Sequence, residues 1–180
     1  MKPFISLFLL LTLIFKADAQ KMYSSNAGQV KLKVNSKVEN IIAQNDQAES
    51  RWLESNGQLF FSVLINNFKF ENSILETELK NLFTEMGKFP KATFKGFIED
   101  IQHIDLSNSG GNEFYADGVL TIHVITQNIS ITGNLTVLSS GKIMLNSDLK
   151  IRWADFNINT KKMSSKLAPE SLISIYCLYE

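Results

Sequence analysis

The sequence predicts an all-β protein built from eight or nine amphipathic strands. Most of the chain after residue 20 alternates between apolar and polar residues, which is the period of a half-buried strand. Turn-forming stretches separate these runs, and the strongest are 107–112 (Ser-Asn-Ser-Gly-Gly-Asn) and 139–141 (Ser-Ser-Gly). Strands of this kind form either a sandwich of two sheets or a closed barrel, and alternation alone does not choose between them.

The first 19 residues have the pattern of a secretory signal peptide. Lys2 precedes an apolar stretch at 4–15, and Ala17-Asp-Ala19 provides a small-residue cleavage site. This stretch is shorter than the roughly 20 residues that a permanent membrane helix needs, although an uncleaved anchor is the alternative. We therefore expect cleavage after Ala19, a soluble product that is periplasmic or secreted, and one domain over residues 20–180.

The composition disfavours several classes of function. The predicted mature chain has 16 basic and 17 acidic side chains, so it has no charge excess with which to attract nucleic acid or an anionic membrane surface. Cys177 is the single cysteine and cannot form an intramolecular disulfide. The two histidines, His103 and His123, stand outside any metal-binding or catalytic motif. We expect no catalytic residues, no metal site and no enzymatic activity.

The first half of the domain is less regular than the second. Alternation at 30–34 predicts the first strand, and an apolar run at 38–43 predicts the second. Residues 44–56 are mostly polar, which indicates a loop or a ragged edge strand. The run at 58–66 is apolar on both parities, which predicts a strand covered on both faces.

One helix is predicted at about 73–86. Ser73-x-x-Glu76 has the spacing of a capping box, and Leu79 and Phe83 belong to one apolar stripe. A glycine and then a proline follow the segment. Because the stripe is narrow, we expect the helix to lie over one mouth of a barrel or against the strand at 58–66.

Two strands form the predicted centre of the fold. Residues 92–98 and 119–126 alternate, are joined through the loop at 107–112, and would pair antiparallel with their apolar faces inward. Later alternation predicts further strands at 129–137, 143–151 and 154–158, and a last strand at 172–179 that is paired on both edges.

The same central pair resembles the signature of the YceI-like family. Lys88-Phe-Pro-Lys-Ala-Thr-Phe-Lys-Gly96 is followed by Tyr115…Gly118-Val-Leu-Thr-Ile-His123…Thr126, and this two-part spacing is similar to that of the family. Members are periplasmic, lipocalin-like barrels that bind polyisoprenoid lipids. The resemblance implies an eight-stranded antiparallel lipocalin-like barrel with an elongated apolar cavity and one short helix.

The resemblance also implies a long-chain polyisoprenoid or similar lipid as the ligand. We expect no cofactor, and a bound isoprenoid lipid or quinone is compatible with this expectation. The candidate lining residues are Phe61, Val63, Phe68, Phe70, Leu79, Phe83, Phe94, Leu120 and Ile122. The same residues also fit an ordinary hydrophobic core. The first function hypothesis is therefore an exported carrier or sequestering protein, and the second is a structural or interaction barrel whose phenylalanines fill its own lumen. A homodimer is compatible with both.

His123 lies within the signature and has two interpretations. It either forms a hydrogen bond that fixes the end of a strand or a neighbouring loop, or makes a polar contact to a ligand head group at the mouth of the cavity.

Overall fold

A computed structural model describes residues 20–36, 41–71, 76–77, 91–158 and 167–180. These residues form an antiparallel β-barrel. Its strands are β1 (Met22–Ser36), β2 (Ile41–Leu53), β3 (Gln58–Leu64), β4 (Lys69–Phe70), β5 (Lys91–Ile98), β6 (Gly110–Ile122), β7 (Ile125–Val137), β8 (Ile143–Arg152) and β9 (Leu167–Tyr179). Short 3₁₀ segments cover Ile65–Asn67, Ile101–His103 and Trp153–Phe156.

Eight strands form the ring, because β4 is only a two-residue addition beside β2. Neighbours around the ring follow the order β1-β2-β3-β5-β6-β7-β8-β9, and β1 closes it by pairing with both β2 and β9. Closure leaves the ring without a free edge. The structure therefore confirms the eight-stranded antiparallel barrel, and also the last strand paired on both sides.

The central strand pair is confirmed as an antiparallel pair with an inward apolar face. β5 pairs with β6 in a register that places Phe94 opposite Leu120. Both side chains are buried, whereas Tyr115 and Asp117 on the opposite face of β6 are exposed. The period of two in the sequence thus separates the barrel interior from its outer surface.

The prediction of a loop or ragged edge strand at 44–56 is wrong. Most of this segment belongs to β2, which pairs with both β1 and β3. Its inward face carries Asn45, Ala48 and Ser50, so burial does not appear in the sequence as apolar alternation. The Asn45 amide donates to the carbonyl oxygen of Leu64 at 2.8 Å, which satisfies this buried polar side chain.

The predicted single strand at 119–126 is also wrong, because a turn divides it. β6 ends at Ile122, and His123 and Val124 form a two-residue turn into β7. His123 has a φ of 60°, a region that is uncommon for residues other than glycine but enriched for histidine. Val124 is 56% exposed and does not continue the inward apolar face.

The strand predicted at 154–158 is replaced by the 3₁₀ turn Trp153–Phe156. Trp153 and Phe156 are both buried, and a helix with three residues per turn brings residues three apart to the same side. Asn157 then adopts a left-handed conformation with a φ of 57°.

The predicted helix at about 73–86 falls mostly outside the described residues. Within it, Glu76 and Thr77 are described and are helical. Leu79 and Phe83 belong to the part of the segment that is not described.

Candidate functional site

An apolar cavity of about 100 Å³ lies inside one half of the barrel. Its described lining is apolar except for Ser62 and Thr93. On β9 the lining residues are Ile173 and Ile175, whereas Tyr179 at the end of the same strand does not reach the cavity. We call the half with the cavity the cavity end, and the half around Tyr179 the sealed end.

Seven of the nine predicted lining residues meet around this cavity. They are Phe61, Val63, Phe68, Phe70, Phe94, Leu120 and Ile122. The remaining two, Leu79 and Phe83, lie outside the described residues. Contact with a ligand stays a prediction for all nine.

Aromatic rings close the sealed end. The Tyr23 and Trp52 rings are stacked with centroids 4.9 Å apart, and the Tyr179 ring lies 6.3 Å from Trp52. The hydroxyl groups of Tyr179 and Ser50 share a hydrogen bond of 2.7 Å. Burial raises the pKa of the Tyr179 phenol, which stays neutral and uncharged in this apolar layer. These side chains therefore form a closed floor across the barrel interior at this end.

A pair of glycines makes room for Phe94 in the cavity wall. Gly96 lies directly opposite Gly118 in the β5–β6 register. A Cβ placed on Gly96 would come within 2.6 Å of the Phe94 ring, and one on Gly118 within 2.8 Å. The ring thus lies across both strands, where it packs against Phe61 at a centroid distance of 6.4 Å.

The described residues close the cavity end less firmly than the sealed end. Phe68 and Phe70 line the cavity there and are half-buried. Phe68 directly precedes β4, and Phe70 belongs to it. The described pairing of β4 consists of Ala43 with Phe70 and Gln44 with Lys69. A two-residue strand has few hydrogen bonds to hold it, so these two rings are the part of the described lining best able to move apart.

The family is decided by sequence. The family model described as "YceI-like domain" matches residues 13–176 of the chain. The protein belongs to the YceI-like family. The resemblance carried by the central strand pair is therefore confirmed.

Three solved structures share the fold of this chain although their sequences are only distantly similar to it. A polyisoprenoid binding domain from Saccharophagus degradans, implicated in plant cell wall breakdown, has a TM-score of 0.75 at 14% identity, covering 89% of this chain and 98% of that one. BcnA of Burkholderia cenocepacia has a TM-score of 0.59 at 16% identity, covering 83% and 95%. A Campylobacter jejuni YceI protein has a TM-score of 0.53 at 19% identity, covering 100% and 99%. No curated protein matches the chain.

Several residues that line the cavity of this YceI-like barrel were not predicted. They come mainly from β1 and from β7 to β9: Val30, Leu32, Ile129, Ile131, Leu149, Ile151, Trp153, Ile173 and Ile175. The candidate list concentrated on phenylalanines in the first half of the domain. Clean alternation in the later strands already marked their inward aliphatic residues, and ring closure brings those strands to the same interior.

His123 stands apart from the cavity lining of the YceI-like barrel. It occupies the β6–β7 turn and is half-buried. The interpretation that a His123 hydrogen bond fixes the strand end or a neighbouring loop stays a prediction. A contact with a ligand head group stays a prediction.

Two kinds of feature are absent from the described ranges. Within them, no group of three or more histidine, cysteine, aspartate or glutamate side chains is arranged to hold a metal ion. Nor does any helix there have the length and apolar character to cross a membrane.

Proposed function

We propose that the protein is an exported, soluble carrier or sequestering protein that binds a long-chain polyisoprenoid or similar lipid inside the barrel, without chemically changing it. The observation that carries this proposal is the apolar cavity enclosed by the closed ring, with only Ser62 and Thr93 as polar residues in its described lining. Lipid sites are mostly apolar with few polar groups. The Saccharophagus degradans domain that shares the fold is itself a polyisoprenoid binding domain, which supports the same ligand class here.

The balance of free energies requires a long chain. Burying one CH₂ group contributes about 0.8 kcal/mol, so a five-carbon isoprene unit contributes roughly 3–4 kcal/mol before any costs. Association costs about 4–15 kcal/mol. Micromolar binding needs about 8 kcal/mol net. Roughly four or more isoprene units would therefore be needed, since a shorter chain leaves little after the cost of association.

A chain of that length needs more room than the cavity now offers. Its volume of about 100 Å³ is below the roughly 300–1,000 Å³ of most ligand pockets. We propose that binding separates the half-buried Phe68 and Phe70 rings and widens the cavity end. The closed floor formed by Trp52 and Tyr179 would keep the chain from passing through the barrel.

Lipid extraction and direct binding test this function. Protein purified from its host is extracted with organic solvent for mass spectrometry, and delipidated protein is titrated with geranylgeraniol, a four-unit prenyl alcohol. We expect Leu120→Trp, which fills the cavity, to weaken binding about tenfold or more. The matched control is Tyr115→Trp, because Tyr115 lies on the outer face of the same strand and is 59% exposed. Absence of lipid from the extract together with absence of geranylgeraniol binding would defeat the proposal.

The small cavity volume favours a second candidate function, a structural or interaction barrel with a self-filled core. In that case neither extraction nor titration would detect a lipid, and Leu120→Trp would lower stability through overpacking without changing any ligand affinity.

Export is tested separately from lipid binding. Cleavage after Ala19 in an exporting host would give a mature protein that begins at Gln20. Intact-mass measurement of the protein, together with fractionation of the periplasm and medium, checks this expectation. A full-length chain retained in the cytoplasm would contradict it.

A further inference from the structure

Four buried side-chain polar atoms have no hydrogen-bond partner among the described residues, and two of them belong to the cavity end of the barrel. These two are Trp153 Nε1 and Ser171 Oγ, and their residues are 5% and 3% exposed. Buried polar atoms nearly always have a partner, and the exceptions require an explanation such as an absent ligand. The indole N–H is a donor only, and the serine hydroxyl is both a donor and an acceptor.

Both atoms belong to the cavity end. Trp153 directly follows β8 and lines the cavity. Ser171 on β9 is paired with Ile151 on β8, and Ile151 also lines the cavity. Because directly paired residues in an antiparallel sheet point to the same side, Ser171 faces the barrel interior. Trp153 thus borders the apolar cavity just after β8, and Ser171 faces the barrel interior on the neighbouring strand β9, opposite a residue of the cavity wall.

The residues around Trp153 and Ser171 favour a neutral oxygen atom as the hydrogen-bond partner. No lysine or arginine is among the described lining residues, and a buried anion without a paired cation is strongly disfavoured. Arg152 is next in sequence, but its side chain is 66% exposed and pairs with Asp155 at 3.0 Å on the outer surface. A carbonyl or hydroxyl oxygen has two lone pairs and therefore has the capacity to accept from two donors.

We propose that Trp153 and Ser171 form the polar end of the lipid site and bind a neutral oxygen atom of the ligand, a carbonyl or a hydroxyl group attached to the apolar chain. This inference rests on the proposed lipid-binding function. It adds that one terminus of the ligand lies at the cavity end of the barrel, and that this terminus carries an oxygen atom and no charge.

The protein contains its own control for this assignment. It has two tryptophans, and each gives one indole N–H signal in a ¹⁵N-correlated NMR spectrum. Trp52 Nε1 is also buried and unpartnered, but Trp52 lies at the sealed end and does not line the cavity. The probes are geranylgeraniol, the hydrocarbon in which hydrogen replaces its hydroxyl group, and geranylgeranyl diphosphate. The spectrum of Trp153→Phe assigns the two signals.

We expect geranylgeraniol to move the Trp153 indole signal downfield, the hydrocarbon to move it much less, and the Trp52 signal to stay in place. The alcohol should bind about tenfold more tightly than the hydrocarbon, and the diphosphate more weakly than the alcohol. Trp153→Phe and Ser171→Ala should each reduce the roughly tenfold preference for the alcohol over the hydrocarbon, which is a ratio of two affinities measured on the same variant.

Other outcomes separate this inference from the function on which it rests. Equal affinity for alcohol and hydrocarbon, or an unchanged Trp153 signal on binding the alcohol, overturns the polar end and leaves lipid binding intact. Tighter binding of the diphosphate overturns the neutral-oxygen assignment. Failure of all three probes to bind removes the proposed function as well. The affinities of the three probes for the unsubstituted protein decide between these outcomes even if a variant does not fold.

Discussion

The hydrogen bond between Ser50 and Tyr179 is expected to hold the sealed end of the barrel together, and Tyr179→Phe tests this role. The bond is 2.7 Å long and both residues are 0% exposed. Phenylalanine keeps the ring that packs 6.3 Å from Trp52, so the substitution removes little besides the hydroxyl group. It leaves the Ser50 hydroxyl with the Cys177 thiol as a remaining, weaker partner. Loss of a buried partner costs about 1–3 kcal/mol, and we expect a value in the lower half of that range.

A double-mutant cycle measures the bond itself. Tyr179→Phe, Ser50→Ala and the double variant are compared by urea unfolding, with Tyr176→Phe as the control because Tyr176 lies on the outer face of β9 and is 38% exposed. The double variant should lose about 1 kcal/mol less than the sum of the two single losses. In thermal unfolding each kcal/mol corresponds to about 2–4 °C for a domain of this size. Additive losses within about 0.5 kcal/mol would refute the proposed coupling.

Three further predictions concern the wall, the thiol and the outer surface. Gly96→Ala should destabilise the fold by about 3 kcal/mol or more, because its Cβ would collide with the Asp117 backbone. In Gly111→Ala the new Cβ meets only the flexible side chain of Asn134, and the substitution should cost less than about 1 kcal/mol. Urea unfolding of both variants checks this difference. Burial raises the pKa of the Cys177 thiol to about 12, so Ellman's reagent at neutral pH should label it only after unfolding, and rapid labelling of the folded protein would contradict this. The protonated Glu99 carboxyl donates a hydrogen bond to Asp117, and this bond and the Asp117 charge raise the pKa of Glu99 above its ordinary value of 4.5. The contribution of this pair to folding stability should therefore fall as the pH rises from that value, and Asp117→Asn should remove this fall. A stability difference between Asp117→Asn and the unsubstituted protein that does not vary with pH would contradict the reasoning.

Strands with apolar inward faces were predictable, and strands with small or polar inward faces were not. The runs that became β7 and β8 alternate with large aliphatic residues, and Ser139 to Gly141 supplies the turn between them, with Gly141 at a φ of 81°. The part of β2 after residue 43 was missed because Asn45 and Ser50 occupy inward positions. Their burial depends on hydrogen bonds to Leu64 and to Tyr179, and such long-range partners cannot be inferred from local alternation.

The two misplaced element ends have a common physical cause. The β6–β7 turn contains Val124 where turns usually carry glycine or asparagine, so the apolar run passed through it without an interruption. Likewise Ala154, Phe156 and Ile158 alternate as a strand would, although burial of Trp153 and Phe156 follows the three-residue period. In both places tertiary packing overrode the local preference.

The candidate site was predictable as a set of apolar residues but not as a shape. Phe61 and Phe94 were expected to line a cavity because they lie on inward positions of strands near the centre of the fold, and they do. The width of the space between them depends on how glycines such as Gly96 let a ring lie across two strands. The contribution of Trp153 arises from a 3₁₀ turn that the sequence did not reveal.

Pairing of the first strand with the last determines where the barrel can be attached to something else. β1 begins and β9 ends at the sealed end, where the Tyr23 and Tyr179 rings are 6.2 Å apart. A surface linkage, an affinity tag or a fusion partner placed at either terminus of residues 20–180 would therefore project from the side opposite to the cavity. The protein can thus be immobilised on a sensor chip through a linkage after Glu180, with the cavity end facing the solution.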